Sequence, residues 1–371
     1  MNGGCTTDRK RIKLPRAGVT LCESAPTTPE SPAMRPSTAR RPLLPSLAAT
    51  ALLALTLAAC GSSSPGSSQA LGTPAPSTSV APTPTPSPSS TMVSLPTGPR
   101  TAMTKVRDTA AGPIYLVKLR GPKSGVTGNV WVWLPPEYND PTYADYGFPV
   151  VSLYSGGQSN GYNTWTDDSQ LPIEEADLRL SKAGKAHPFI LLMPVQNFIS
   201  SESHELDCSD IPGQVKMGTW MGEDVTDFAR ANFRTLKTRD GWGVAGASTG
   251  GLCSAKLALQ YPQTFRAAVP IDGYFIPDSL FWRGHAAEMA ANTPQIMVSK
   301  ATTDIDMMVT AGGAEQYEVN VVKAFVKQAS PSVHITYLEL PHADHSTKNF
   351  KRVIDATLVY LSQHLAAPTA G

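Results

Sequence analysis

Residues 242–251, WGVAGASTGG, constrain this chain more than any other stretch. They place glycines two residues before and two after a serine, G-x-S-x-G, between a short apolar run and the helix-forming segment LCSAKLALQYP. A strand that turns into a helix at one serine holds it on a sharp, strained turn with its hydroxyl clear of the sheet. Gly246 and Gly250 remove the Cβ atoms that would collide across such a turn. The competing reading is a glycine-rich turn that only packs closely.

The rest of the chain divides sharply. None of the 10 Phe, 6 Trp and 11 Tyr lies in the first hundred residues, which hold 16 of the 33 prolines. A segment rich in Pro, Ser and Thr and free of aromatics cannot bury enough apolar area to offset its ordering entropy. The folded domain is therefore expected over 105–371. With 31 basic against 30 acidic side chains, nothing suggests a nucleic-acid binder.

From Met34 the sequence has the parts of an export signal. Arg35, Arg40 and Arg41 precede the uncharged run Leu47–Ala59, too short to span a bilayer, which needs roughly 20 residues. The run ends in LAAC, which resembles the bacterial lipobox, so Cys60 is the expected lipidation site and residues 34–60 the signal peptide. An ordinary cleaved signal with an incidental cysteine is the alternative. Residues 1–33 precede a complete signal and read as an overextended N-terminus. Residues 61–104 read as a disordered Pro/Ser/Thr linker. The chain is thus expected at the outer face of a bacterial membrane, lipid-anchored, or else secreted.

Strand-length apolar runs occur at 114–119, 129–134, 149–154, 188–194, 242–246, 267–271, 295–299 and 333–340. Helical spacing of Val225, Phe228, Ala229 and Phe233, and of Phe350, Val353, Ile354, Leu358 and Leu361, marks helices near 221–234 and 347–364. The first two strands are too close for a helix between them and should pair antiparallel; the rest imply a mainly parallel, eight-stranded sheet covered on both faces.

A serine hydroxyl needs a base. With the order serine, acid, histidine, the base belongs after the last strand, where LPHADHS offers His342 and His345. The H-x-D-H cluster lacks a second ligand group at zinc spacing, so no metal or cofactor is expected. The acid should follow the run at 295–299. Asp304 is the expectation, with Asp306, Asp272 and Glu315 as alternatives. The oxyanion donors are expected to be the amides of Thr249 and of Gly157 or Gln158.

The run GASTGGLCSAKLALQYPQTFRAA from Gly246, the segment Glu223-Asp224-Val225, and His345-Ser346 with Phe350 five residues after the histidine carry a resemblance. Together they resemble the esterase D and antigen-type mycolyltransferase branch of the α/β-hydrolases, over most of 110–365. The resemblance implies an α/β-hydrolase fold, acyl-serine chemistry on carboxylic esters, and His345 as the base. The turn 155–158 lacks the Asp and Arg with which mycolyltransferases hold trehalose, and Ala301 replaces the glycine of the acid loop. The partners expected are an ester substrate, including lipid or sugar esters, and a membrane reached through the anchor. Alternatives are a cell-envelope acyltransferase and a non-catalytic surface module on the same scaffold. Residues 273–293 read as either a cap or a packed loop. Cys208 and Cys253 are the cysteines left in an exported domain, and in this fold the chain at 208 should pass the nucleophile helix, so a disulfide is expected.

Overall fold

The computed structural model describes residues 92–98, 100–157, 161–167, 169–198 and 204–371. The expectations for 1–33, 34–60 and Cys60 lie outside these residues, as does Gln158.

Among the described residues one sheet holds nine strands: β1 (Thr104–Thr109), β2 (Gly112–Arg120), β3 (Thr127–Trp133), β4 (Val150–Tyr154), β5 (Ile190–Pro194), β6 (Trp242–Ala247), β7 (Ala267–Ile271), β8 (Ile305–Gly312) and β9 (Val333–Leu340). Their order across it is β9-β8-β7-β6-β4-β5-β3-β2-β1. The pairs β1/β2, β2/β3 and β3/β5 are antiparallel and the others parallel. β4 to β8 are buried along their whole length, as strands covered on both faces must be. The edge strand β1, TKVRDT, is polar and mostly exposed, which protects an open edge from pairing with other chains.

Alternate side chains feed two cores. Val150, Val244, Ala268 and Val309 pack on one face with Cys253, Leu257 and Phe325. Val151, Ala245, Ala267 and Val269 pack on the other with Leu180, Leu358 and Leu361. The helices supplying these residues are α1 (Ile173–Lys182), α3 (Thr249–Gln260), α6 (Gln316–Gln328) and α7 (Ile354–His364); further helices are α2 (Val225–Asn232), α4 (Ala286–Ala291) and α5 (Pro294–Lys300), with short turns of helix at Met217–Thr219 and Thr347–Phe350.

Four sequence expectations change here, the first being the strand count, nine where eight were expected. The run at 295–299 is helix α5, because Pro294 opens it with a preset φ and no N–H to lose, and Pro294 and Val298 form its buried stripe. The strand is β8, ten residues later, whose Asp306 and Thr310 obscured its apolar character. Asp306 is paired with Arg266 at 2.8 Å and lies 3.1 Å from His364 Nδ1. Order also begins before 105: Val93–Ser94 pairs antiparallel with Thr235–Leu236, and the Thr101 amide donates to Asn232 Oδ1 at 2.7 Å.

Cys208 and Cys253 form a disulfide with their Cα atoms 5.5 Å apart, joining the connection after β5 to α3. Buried Lys256 reinforces the same junction, donating from Nζ to the Cys208 carbonyl at 2.7 Å. Bridges that close loops of this size contribute about 2–4 kcal/mol. Cys208→Ser is therefore expected to lower the melting temperature while leaving ester turnover near wild type. Thermal unfolding followed beside an activity assay checks both parts. An unchanged melting temperature would refute the bracing role.

Candidate active site

Strand register decides what meets at the sheet's carboxyl edge. Ala247 of β6 lies beside Ile271 of β7, Ile271 beside Thr310 of β8, and Gly312 beside Leu340 of β9. The residues that follow these ends therefore emerge together: Ser248, Asp272, the start of α6, and the loop 341–346. Reactive groups of open α/β sheets collect at this edge.

Ser248 sits at φ 56° and ψ −118°, between β6 and α3. The strain is held by contact. A Cβ at Gly246 would lie 2.3 Å from the Gly250 carbonyl oxygen, and one at Gly250 would lie 2.1 Å from the Tyr154 carbonyl oxygen. The Ser248 amide donates to the Ile271 carbonyl at 2.9 Å, fastening the turn to the neighbouring strand. Both glycines are sterically required.

His345 Nε2 lies 2.9 Å from Ser248 Oγ. Its Nδ1 lies 3.0 Å from Asp272 Oδ2, and the ring packs edge-on against Phe350 at 5.1 Å between centroids. Asp272 is fixed in its own right. It adopts φ 47°, its Oδ1 accepts from the Gly312 amide at 2.7 Å, and its side chain is only 5% exposed. The hydrogen bond to Asp272 raises the His345 pKa above its ordinary value, against the opposing effect of burial. A second carboxylate approaches the same nitrogen: Glu318 Oε1 of α6 is 3.1 Å from Nδ1.

The acid expected from sequence is elsewhere. Asp304 precedes β8, an eight-residue strand spanning roughly 26 Å, so it lies at the sheet's opposite edge. Its side chain is 66% exposed and faces His334 at 3.6 Å. Asp306 is one residue into the strand and tied to Arg266. Glu315 precedes α6 and is exposed. Asp272, among the alternatives, is the one brought to His345. Glu318 was missed, and an acidic residue in a helix's first turn directly after a buried strand was its only signal. His342, with φ 58°, is exposed, and the imidazole at Ser248 is that of His345.

Thr249 begins α3, so its amide is among the first-turn N–H groups that lack an intrahelical acceptor. Across from it, Ser155-Gly156-Gly157 leaves β4 close enough that a Cβ on Gly156 would be 3.3 Å from Ser248 Cβ. Gln196 pins this turn by donating to the Ser155 carbonyl at 2.6 Å. Gly157 holds φ 62° at its exposed tip.

Ser248 and His345 open into a cleft of about 520 Å³, lined also by Tyr274, Ile276, Tyr317 and Val321. Residues 274–278 form one wall, while Phe275 stacks on Phe325 at 3.8 Å and Trp282 is buried, donating to Asp207 Oδ2 at 2.6 Å. The stretch 273–293 thus contributes one wall through 274–278 and is packed at Phe275 and Trp282, while its helix α4 has no buried residue. Among the described residues no Lys or Arg lines the cleft, whereas Asp272, Asp278 and Glu318 do.

A family model described as "Putative esterase" matches residues 125–358, more than half of the chain and all of the sheet from β3 onward. The chain belongs to the putative esterase family. As a member of this esterase family it is a carboxylic-ester hydrolase, and the sheet order and covering helices are those of an α/β-hydrolase. Solved structures agree on the fold. A ferulic acid esterase superimposes with a TM-score of 0.55 at 16% identity, covering 68% of this chain and 98% of its own. An S-formylglutathione hydrolase from Agrobacterium tumefaciens gives 0.56 at 15%, covering 71% and 99%. The fluorophosphonate-binding serine hydrolase F of Staphylococcus aureus gives 0.54 at 17%, covering 67% and 98%. Compared with the curated proteins, the sequence finds no match.

Proposed function

We propose that this esterase is an extracytoplasmic, lipid-anchored serine hydrolase that cleaves carboxylic esters through an acyl-serine at Ser248. One observation carries the chemistry: the continuous chain Ser248 Oγ, His345 Nε2, His345 Nδ1, Asp272 Oδ2, with links of 2.9 and 3.0 Å. His345 takes the Ser248 proton as Oγ attacks the ester carbonyl. The Thr249 and Gly157 amides receive the tetrahedral oxyanion. Collapse expels the alkoxide, which takes the proton from Nε2, and water repeats the cycle on the acyl-enzyme. Asp272 keeps the Nδ1 tautomer and balances the imidazolium. The anchor rests on the sequence LAAC at 57–60.

The cleft narrows the substrate. Aromatic and aliphatic walls with Asp278 and Glu318, and no Lys or Arg among the described lining residues, suit a neutral or cationic ester of moderate size. Among the fold neighbours, a feruloyl-type aromatic ester fits this description better than an anionic glutathione thioester.

The reading is tested by intact-mass analysis with a fluorophosphonate, followed by ester panels with and without sugar acceptors. One adduct on Ser248, and faster hydrolysis of neutral aromatic esters than of anionic ones, is the expected result. Acyl transfer to a sugar outpacing hydrolysis would move the assignment to an acyltransferase; no adduct would end the serine mechanism. Mass spectrometry of membrane fractions should find lipid on Cys60 as the first residue, and an unmodified soluble form starting elsewhere would remove the anchor.

The acid has its own test. Asp272→Asn is expected to lower kcat/KM by about 10²–10⁴-fold at neutral pH, through loss of the productive tautomer. Asp304→Asn should leave it unchanged, since that carboxylate lies at the far edge of the sheet. Steady-state kinetics on both variants decide the matter, and the reverse pattern would restore Asp304.

A further inference from the structure

The mechanism above uses one carboxylate on His345, but two reach it. Asp272 Oδ2 stands 3.0 Å and Glu318 Oε1 3.1 Å from the same Nδ1. We propose that Glu318 is a second positioning residue for His345, sharing the Nδ1 proton with Asp272 and serving as its acceptor when Asp272 is lost. This rests on the serine-esterase reading of the site.

The two acids arrive from different elements, one from the loop after β7 and one from the first turn of α6. Asp272 has a structural duty as well, since its Oδ1 is held by the Gly312 amide. Glu318 has no comparable duty. Its Oε2 is buried without a hydrogen-bond partner among the described residues, and its side chain is 21% exposed. A buried carboxylate oxygen left unpaired is costly and is not what a merely structural glutamate would show. The amino-terminal turn of α6 offsets part of that cost through the helix dipole.

The groups facing Glu318 are Asp272 from the β7 loop, Glu315 on its own helix, and Asp344 and His345 from the loop after β9. Burial, then the Asp272 charge, push its pKa up to about 7, while His345 pulls it down. Burial and the Asp272 charge thus favour its neutral form, and a positive imidazole favours the charged one. When His345 accepts the Ser248 proton on Nε2, Nδ1 keeps its own proton. Any proton on Glu318 leaves to water, so the imidazolium then lies between two carboxylates. Glu318 itself passes no proton to the substrate.

A double-mutant cycle tests this, with kcat/KM on p-nitrophenyl acetate measured across pH for wild type, Glu318→Gln, Asp272→Asn and the double variant. Glu318→Gln should cost a few-fold, and the acid limb of its profile should move to lower pH, because His345 loses a negative neighbour. Asp272→Asn should stop near a loss of about 10²-fold, and adding Glu318→Gln should carry it to about 10⁴-fold, the effect of an unassisted imidazole. Asp272→Asn with Glu318→Asp should recover part of that second step. A double variant no slower than Asp272→Asn, or an acid limb in Glu318→Gln that coincides with wild type, overturns the proposal. If Asp272→Asn does not fold, the acid limb of Glu318→Gln decides alone. Fluorophosphonate labelling of wild type separates the two claims. No Ser248 adduct means the esterase mechanism fails; an adduct without coupling means only the role of Glu318 does.

Discussion

Ser248→Ala is expected to reduce ester turnover by about 10⁶-fold, the loss seen when a triad serine is removed from a hydrolase. It should also abolish the fluorophosphonate adduct. The attribution to chemistry is clean because the substitution leaves the fold's demands untouched. Alanine meets the same φ of 56° with the same Cβ as serine, and the hydrogen bond that fastens the turn comes from the backbone amide. The contacts that require glycine at 246 and 250 are with backbone carbonyls and do not involve the serine hydroxyl. The melting temperature should therefore stay within a degree or two of wild type, while the residual rate reflects only binding and the oxyanion donors. Steady-state assays with a chromogenic ester, run beside thermal unfolding, make both measurements. Near wild-type turnover in a folded variant would remove Ser248 from the mechanism.

The serine was legible because its geometry is written in local sequence. Two glycines, a preceding strand and a following helix are all within ten residues, and each is a local steric requirement. The loop that carries His345 was legible at one remove, since the base was expected after the last strand, and the choice of His345 over His342 came from the family resemblance. The acid was misread for a traceable reason. An apolar run of five residues has no periodicity that separates strand from helix, and Pro294 tips that run into α5. Shifting the strand to 305–312 moves Asp304 from its expected carboxyl end to its amino end. One wrong element thus carried the wrong residue with it. Asp272 stood in plain view after β7, but an aspartate at a strand end is commonly a loop cap, and only the register of β7 against β8 shows where its carboxylate goes. Glu318 depends on how α6 leaves the sheet, which no local pattern encodes. The Cys208–Cys253 pairing was reachable because one partner lies on the nucleophile helix, whose position the fold fixes.

His345→Ala is expected to match Ser248→Ala, with a loss of about 10⁶-fold, because a triad serine without its base does no better than no serine. His342→Ala, three residues away, should keep turnover within a few-fold. The difference lies in the loop's geometry. Ala343 is buried and its carbonyl accepts from the Ala314 amide at 2.9 Å, so the loop is pinned between the two histidines. The His345 ring is set against Phe350 with Nε2 on Ser248, whereas His342 is exposed at φ 58°. The pH profile distinguishes a base from a structural support. The Asp272 hydrogen bond raises the His345 pKa above 6.5, and the base must be neutral to accept the serine proton. Wild-type kcat/KM should therefore fall as pH drops through a midpoint above 6.5. The small residual rate of His345→Ala should lose that acid limb, while His342→Ala should keep it in place. Should the limb survive in His345→Ala and vanish in His342→Ala, the base is His342 and the loop rearranges in solution.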